Sequence, residues 1–311
     1  MLRKSIIATL AISALALSGC SAADPAPTKL VFAGAPLTPP VEEKPNSFQV
    51  MLDLIAEETG LPVEYHESTD RGAIIEGLVS GQIDFASTDP YGFVLASALD
   101  KEIQIAGVQV RGADVPPGFT SMAIARADDD TITGLADLKG KKVCFSDPAS
   151  TAGFLYPAKG LQSAGFEISP SGEGDFKSEF TGIVPFQPAV NVYKGSCDVG
   201  FIPDSMWFGV MKTLQDIDLT KLKVVWESEK IPGQVIMIGS QVPSELQKKI
   251  AEVISTKANK TYFVESGACT SEADCNFLNV ANWGYIPTEP AAYEPVRQTC
   301  IDLGIKQCEV K

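Results

Sequence analysis

The chain has 311 residues, with 39 acidic against 25 basic side chains and a formal net charge of −14. A surplus of that sign offers no basic stripe to displace phosphate counterions, which excludes a nucleic-acid partner. It leaves small anions open as ligands, because anion sites are built from local N–H groups and hydroxyls while net charge describes the outer surface.

In chain order, Arg3 and Lys4 precede an apolar run from Ile6 to Leu17 that closes in Leu17-Ser18-Gly19-Cys20. The run is too short to cross a hydrocarbon core, which takes roughly 20 residues of helix. A charged start, a short apolar middle and small residues at the end make residues 1–19 a secretory signal peptide. Cys20 after Ser-Gly resembles the lipobox of bacterial lipoproteins, which implies lipidation there. Residues 20–28 then read as a lipidated tether, holding an extracytoplasmic body at the membrane without spanning it. No later stretch has the length and apolarity of a span, so the body is expected to be soluble. Without residues 1–19, 23 basic side chains face 39 acidic ones.

Short apolar runs then alternate with helical patterns. Strands are expected at Lys29–Ala33, Val63–His66 and Ile83–Ala86, with helices at Phe48–Thr59, Asp70–Ser80 and Gly92–Leu99. The helix from Phe48 has apolar residues at 48, 51, 52, 55 and 56, one face of a 3.6-residue period, and Gly60 ends it. Asp70 is the expected cap of the next helix. The pattern restarts with strands at Met122–Arg126, Lys142–Phe145, Asp198–Ile202, Leu222–Trp226 and Val235–Gly239. Between them fall a short turn at Leu135–Leu138 and helices over 152–164, 186–194 and Asp204–Leu214. A last helix, Ser244–Ser255, has Ser244 as its expected cap. This rhythm predicts an α/β chain of two lobes, each a mainly parallel sheet flanked by helices. The expected division is residues 29–117 with 230–311 in lobe 1 and 118–229 in lobe 2. Ligands of such sheets sit off the carboxyl ends of strands, where helix starts converge.

Setting Cys20 aside leaves six cysteines, an even number in an exported chain, and three disulfides are the expectation. Cys269 with Cys275 and Cys300 with Cys308 have the spacing of local staples, which leaves Cys144 with Cys197. No CxxC spacing supports a metal cluster, and His66, the single His, lies far from every Cys in sequence. His66 reads as a surface or edge residue.

The densest chemistry lies in Leu135–Phe154, LADLKGKKVCFSDPASTAGF. Asp147-Pro148 turns the chain after a strand, and Ser150, Thr151, Ala152 and Gly153 open a helix. The first turn of a helix has unpaired N–H groups and a positive dipole end, so hydroxyls beside it form a seat for a tetrahedral oxyanion. Plain N-capping accounts for Ser and Thr there equally well. The stretch resembles the signature of the phosphate-, phosphite- and phosphonate-binding proteins of ABC importers. Gly81–Ala86 with Asp89–Ala96, Lys194–Gly200, and Val224–Ser228 with Ile231–Gly233 resemble further segments of that family. The resemblance implies a type II periplasmic-binding-protein fold and a small phosphorus oxyanion (phosphonate, phosphite or phosphate) bound between the lobes.

Carried over by position, it implies that Ser150, Thr151 and the backbone of Ala152 and Gly153 hold the oxyanion. Tyr91 would close from the other lobe, or serve as a buried aromatic. Asp204 would meet a ligand amine or hydroxyl, or cap its helix. The chain departs from the family pattern at Ala152, one hydroxyl fewer, and where the family has a His. Gln187 stands nearby as a neutral donor. Trp207 and Phe208 could wall a larger ligand or fill the core. The implied partners are an ABC permease and, through lipid, the membrane; the body is expected to be a monomer. No cofactor is expected. No His adjoins a Ser or Cys as a nucleophile-base pair and no Walker loop appears, so no enzyme is expected. A non-phosphorus solute, or presentation of ligand to a sensor kinase, stands as the alternative.

Overall fold

The computed structural model describes residues 27–34, 46–68, 70–278 and 282–309. The signal peptide, Cys20 and most of the tether lie outside the described residues. In chain order the first elements are β1 (Leu30–Gly34), α1 (Gln49–Thr59), β2 (Val63–Glu67), α2 (Arg71–Val79), β3 (Phe85–Thr88), α3 (Pro90–Leu99) and β4 (Gln104–Val110). Next come β5 (Ser121–Arg126), β6 (Lys142–Phe145), a π-helical turn at Thr151–Leu155, α4 (Tyr156–Ser163) and β7 (Lys177–Phe180). They are followed by α5 (Gln187–Tyr193), β8 (Val199–Pro203), α6 (Asp204–Phe208) and β9 (Leu222–Glu227). The chain ends with β10 (Val235–Ile238), α7 (Ser244–Lys257), α8 (Lys260–Glu265), β11 (Gly284–Ile286) and α9 (Glu294–Asp302).

The strands form two sheets, in the orders β11-β4-β10-β3-β1-β2 and β7-β6-β8-β5-β9. In the first, β1 pairs parallel with β2 and β3, while β10 runs antiparallel to β3 and β4. In the second, β6 pairs parallel with β7 and β8, and β5 is the antiparallel strand between β8 and β9. Each sheet is therefore mainly parallel in strand direction, as the sequence predicts.

Strand period sorts the core into layers. In the first sheet Phe32, Phe85, Ile236 and Ile238 join Met51 and Ile55 of α1 and Ile250 and Ile254 of α7. Their neighbours Ala33, Ala86, Val235 and Met237 face the other way, with Leu78 of α2 and Val94 of α3. That second cluster continues without a break into Phe145 and Phe201 of the other sheet and Phe154 of the π-helical turn. Two chain segments pass between the sheets and pair antiparallel at Phe119 and Ile231, with N···O distances of 3.0 and 2.8 Å.

The three disulfides join Cys144 to Cys197, Cys269 to Cys275, and Cys300 to Cys308, the expected pairing. Asp70 caps α2 as expected, accepting from the Ala73 N–H at 3.1 Å. Two expectations need correction. Helix α7 starts one residue early, with Pro243 as the boundary residue, so Ser244 lies inside the first turn and makes no capping bond. Helix α6 stops at Phe208 instead of running to Leu214, because Gly209 leaves helical geometry at φ −108°, ψ −91° and a 3-10 turn follows. The strands β4, β7 and β11 and the helices α8 and α9 carry little period of their own and are defined by their neighbours.

Candidate functional site

The carboxyl ends of β3 and β6 each lead into a helix start, and the two starts meet. On the first sheet, Asp89 is the cap residue of α3 and Pro90 its first helical residue, where a missing N–H costs nothing. Asp89 Oδ1 accepts from the Gly92 N–H at 3.0 Å. On the second sheet, Ser150 Oγ accepts from the Gly153 N–H at 3.0 Å. The helix behind Ser150 opens as a π turn, with Ser150 O accepting from Leu155 N at 3.0 Å. Pro157 explains the widened turn: it has no N–H to offer Gly153, whose carbonyl accepts instead from Ser146 N at 3.2 Å. Glycine is required at 153, since a Cβ there would lie 1.7 Å from Ser146 Oγ. The turn is tied to its sheet by Ser121, whose Oγ donates to the Ala152 carbonyl at 2.6 Å.

The two starts bond each other directly. Tyr91 N donates to Thr151 Oγ1 at 2.8 Å, and Thr151 N donates to Asp89 Oδ2 at 3.1 Å. Arg71, the first helical residue of α2, brings its Nε within 3.5 Å of the same Asp89 oxygen. Tyr91, Ser150, Thr151, Ala152, Asp89 and Arg71 are all buried. Burial, then the Asp89 carboxylate, pushes the Tyr91 phenol above its ordinary value. Burial also raises the Asp147 carboxyl, against the pull of the Arg71 guanidinium. Two buried polar atoms have no hydrogen-bond partner at this junction among the described residues, Arg71 Nη1 and Ser146 Oγ.

Of the residues expected from sequence, Tyr91, Ser150, Thr151, Ala152 and Gly153 are brought together. Thr151 is fully buried. Asp204 is elsewhere on the boundary between the sheets: Pro203 is the cap position of α6, so Asp204 is not the cap. Its carboxylate pairs with Arg111 Nη2 at 2.5 Å, beside a cavity of about 20 Å³ lined by Gln109, Arg111, Phe119 and Ser205. Gln187 opens α5 and spends its amide on Asn191 Oδ1 at 2.8 Å; no described hydrogen bond joins it to Ser150 or Thr151. Phe208 is exposed, under the ammonium of Lys212, and Trp207 is half-buried against the cluster around Met206. His66 is exposed on the edge strand β2. No helix of the described residues is long and apolar enough to cross a membrane.

Sequence reasoning missed Arg71, Asp89, Ser121 and Ser146. Asp89-Pro90 is a legible helix-start signal. Arg71 had a subtler one: a cation in the first turn of a helix opposes the dipole, and such a placement needs a partner.

Residues 37–271 match the family described as the periplasmic substrate-binding protein of the ABC phosphonate transporter. The chain belongs to this family. Its members are the solute-binding components of transporters, not enzymes. The phosphate-import protein PhnD of Mycolicibacterium smegmatis is 32% identical over 98% of this chain and 97% of its own length. The fold is also that of the binding-protein component of an ABC phosphonate transporter from Pseudomonas aeruginosa. That structure has a TM-score of 0.69 at 19% identity and covers 89% of this chain and 87% of that one. PhnD1 of Prochlorococcus marinus, solved in complex with methylphosphonate, has a TM-score of 0.69 at 16% identity, covering 90% of this chain and all of that one. These neighbours carry the type II periplasmic-binding-protein architecture that the two sheets display.

Proposed function

We propose that this protein is a lipid-anchored, extracytoplasmic receptor that binds a small phosphorus oxyanion between two lobes and delivers it to an ABC permease. Residues 29–117 with 230–311 form one lobe and 118–229 the other, and the signal peptide and Cys20 supply export and anchoring. The observation that carries the reading is the Thr151 start facing Tyr91, with donors from both sheets converging on one point. Ligand entry parts the direct bonds between the starts, and the oxyanion takes over the N–H groups of Thr151 and Tyr91. Contacts made by both lobes at once favour the closed arrangement over the open one, which couples binding to docking on the permease. The phosphate-import relative and the phosphonate-transporter family both point to phosphorus as the central atom.

The reading is tested by titration calorimetry of phosphate, phosphite and methylphosphonate against the wild type and Thr151→Val. The variant keeps the shape of the side chain and loses the hydroxyl, so affinity should fall by roughly 10- to 100-fold, the size of a lost charged hydrogen bond. Unchanged affinity would remove Thr151 from the site.

A further inference from the structure

Arg71 is placed against its own helix. A cation in the first turn faces the positive end of the dipole, and the residue is also buried, at 9% exposure. A guanidinium stays charged at any accessible pH and presents five N–H donors. Here Nε reaches Asp89 Oδ2 at 3.5 Å while Nη1 is buried and unpaired among the described residues. Ser146 Oγ, at 1% exposure, is the second unpaired donor, lying against Gly153 in the turn that Ser150 caps. Between them Asp89 accepts the Thr151 N–H, the donor that an oxyanion would use. A carboxylate can only accept. Set beside a bound anion, it repels unless a proton lies between them.

We propose that Arg71 and Asp89 read the ligand. Arg71 supplies the positive charge through Nη1, and Asp89 accepts the ligand's own hydroxyl. The site then takes tetrahedral oxyanions that keep an ionisable proton near neutral pH, as phosphate esters do with a second pKa of about 6. Phosphate, phosphite and phosphonates meet that condition. Sulfate, sulfonates and hypophosphite, which carry no such proton, are refused. The inference rests on Thr151 being the oxyanion seat, and it adds the cation that the sequence lacks at the family's His position.

The test is calorimetry of the whole chain at pH 7 with phosphate, phosphite, methylphosphonate, sulfate, methanesulfonate and hypophosphite. The proteins are wild type, Thr151→Val, Arg71→Gln and Asp89→Asn. Asn caps a helix as well as Asp, so Asp89→Asn keeps the start of α3. Arg71→Gln should weaken every bound oxyanion by roughly 10- to 100-fold with the phosphate-to-sulfate ratio kept. Asp89→Asn should lower that ratio by about tenfold or more, by weakening phosphate and admitting sulfate. If Thr151→Val weakens binding while Arg71→Gln does not, the role of Arg71 is overturned and the seat stands. An unchanged ratio in Asp89→Asn overturns the role of Asp89. A second measurement needs no variant: wild type should bind phosphite and not hypophosphite, and equal affinity for the two sinks the proton-reading device. Should the wild type bind no phosphorus oxyanion, or Thr151→Val bind as well as wild type, the seat itself fails and this inference with it.

Discussion

The two helix starts that meet at the junction solve the same problem with opposite chemistry. On the first sheet α3 begins with a carboxylate cap and a proline, and it turns an acceptor, Asp89 Oδ2, outward beside the Tyr91 N–H. On the second sheet the turn at Thr151 begins with a hydroxyl cap and a widened π turn, and it turns an N–H and a hydroxyl outward. An acceptor start, named for the Asp89 carboxylate, and a donor start, named for the Thr151 N–H, close on each other, with the Tyr91 N–H donating back to Thr151 Oγ1. On the proposed reading the second start is the anion seat, and the first, through Asp89, sets the terms on which an anion enters.

Removing what holds the donor start in place should have the largest effect. The disulfide between Cys144 and Cys197 anchors the end of β6 just before this turn and closes a loop of 53 residues. In the chain-entropy description the paired change Cys144→Ala/Cys197→Ala costs about 4 kcal/mol. Urea denaturation of the variant should show the loss as a lowered midpoint. Gly153→Ala comes next, because its Cβ would meet Ser146 Cβ at 2.8 Å as well as Oγ, so rotation of the serine alone gives no escape. A cost of roughly 1–3 kcal/mol from overpacking is expected in the same denaturation series, together with weakened ligand binding. The matching change on the acceptor start, Gly92→Ala, meets Thr88 Oγ1 at 2.0 Å but Thr88 Cβ only at 3.2 Å, so turning the threonine relieves most of it. It should cost less than Gly153→Ala, and the reverse order would break the comparison.

The smallest effects concern pH, and they differ in sign between the junction and the surface. Glu58, held by Lys249 and Lys257, has its carboxyl pulled down from 4.5 to about 2, chiefly by those two hydrogen bonds. Its folded value lies below its unfolded one, so its stabilisation is present above 4.5 and is lost as pH falls toward about 2. Asp147 is raised above 3.8 by burial, so its sign is opposite: stability is greatest below 3.8 and declines as pH rises through the raised value. Melting temperatures at neutral pH should therefore fall in Glu58→Gln and rise in Asp147→Asn. A fall in both would mean that the Arg71–Asp147 attraction outweighs burial at this junction.

Much of the framework was legible because it rests on local rules. The short apolar runs of KLVFA and KVCF, Asp70 before an apolar helix face, and the short Cys spacings are all settled within a few residues. What was misread lies where local rules leave a tie. Ser244 and Pro243 both suit a helix boundary, and the chain uses Pro243. Asp204 has the form of a cap but pairs with Arg111, 93 positions away, because burial at a boundary between sheets favours a charged partner. The strands β4, β7 and β11 escaped notice because their pattern is completed by neighbours from other parts of the chain.

By itself the sequence determined the α/β class, the two short-range disulfides and a helix start with two hydroxyls at Ser150 and Thr151. Each follows from periodicity, Cys spacing or the chemistry of a helix's first turn. Only the tertiary structure decided that Thr151 N–H bonds Asp89, 62 positions earlier, and that Arg71 carries a buried, unpaired nitrogen beside them. The physical reason is that burial and pairing of a charge depend on which elements pack around it. Three strand-to-helix junctions, after β2, β3 and β6, must converge before Arg71 and Asp89 share one site.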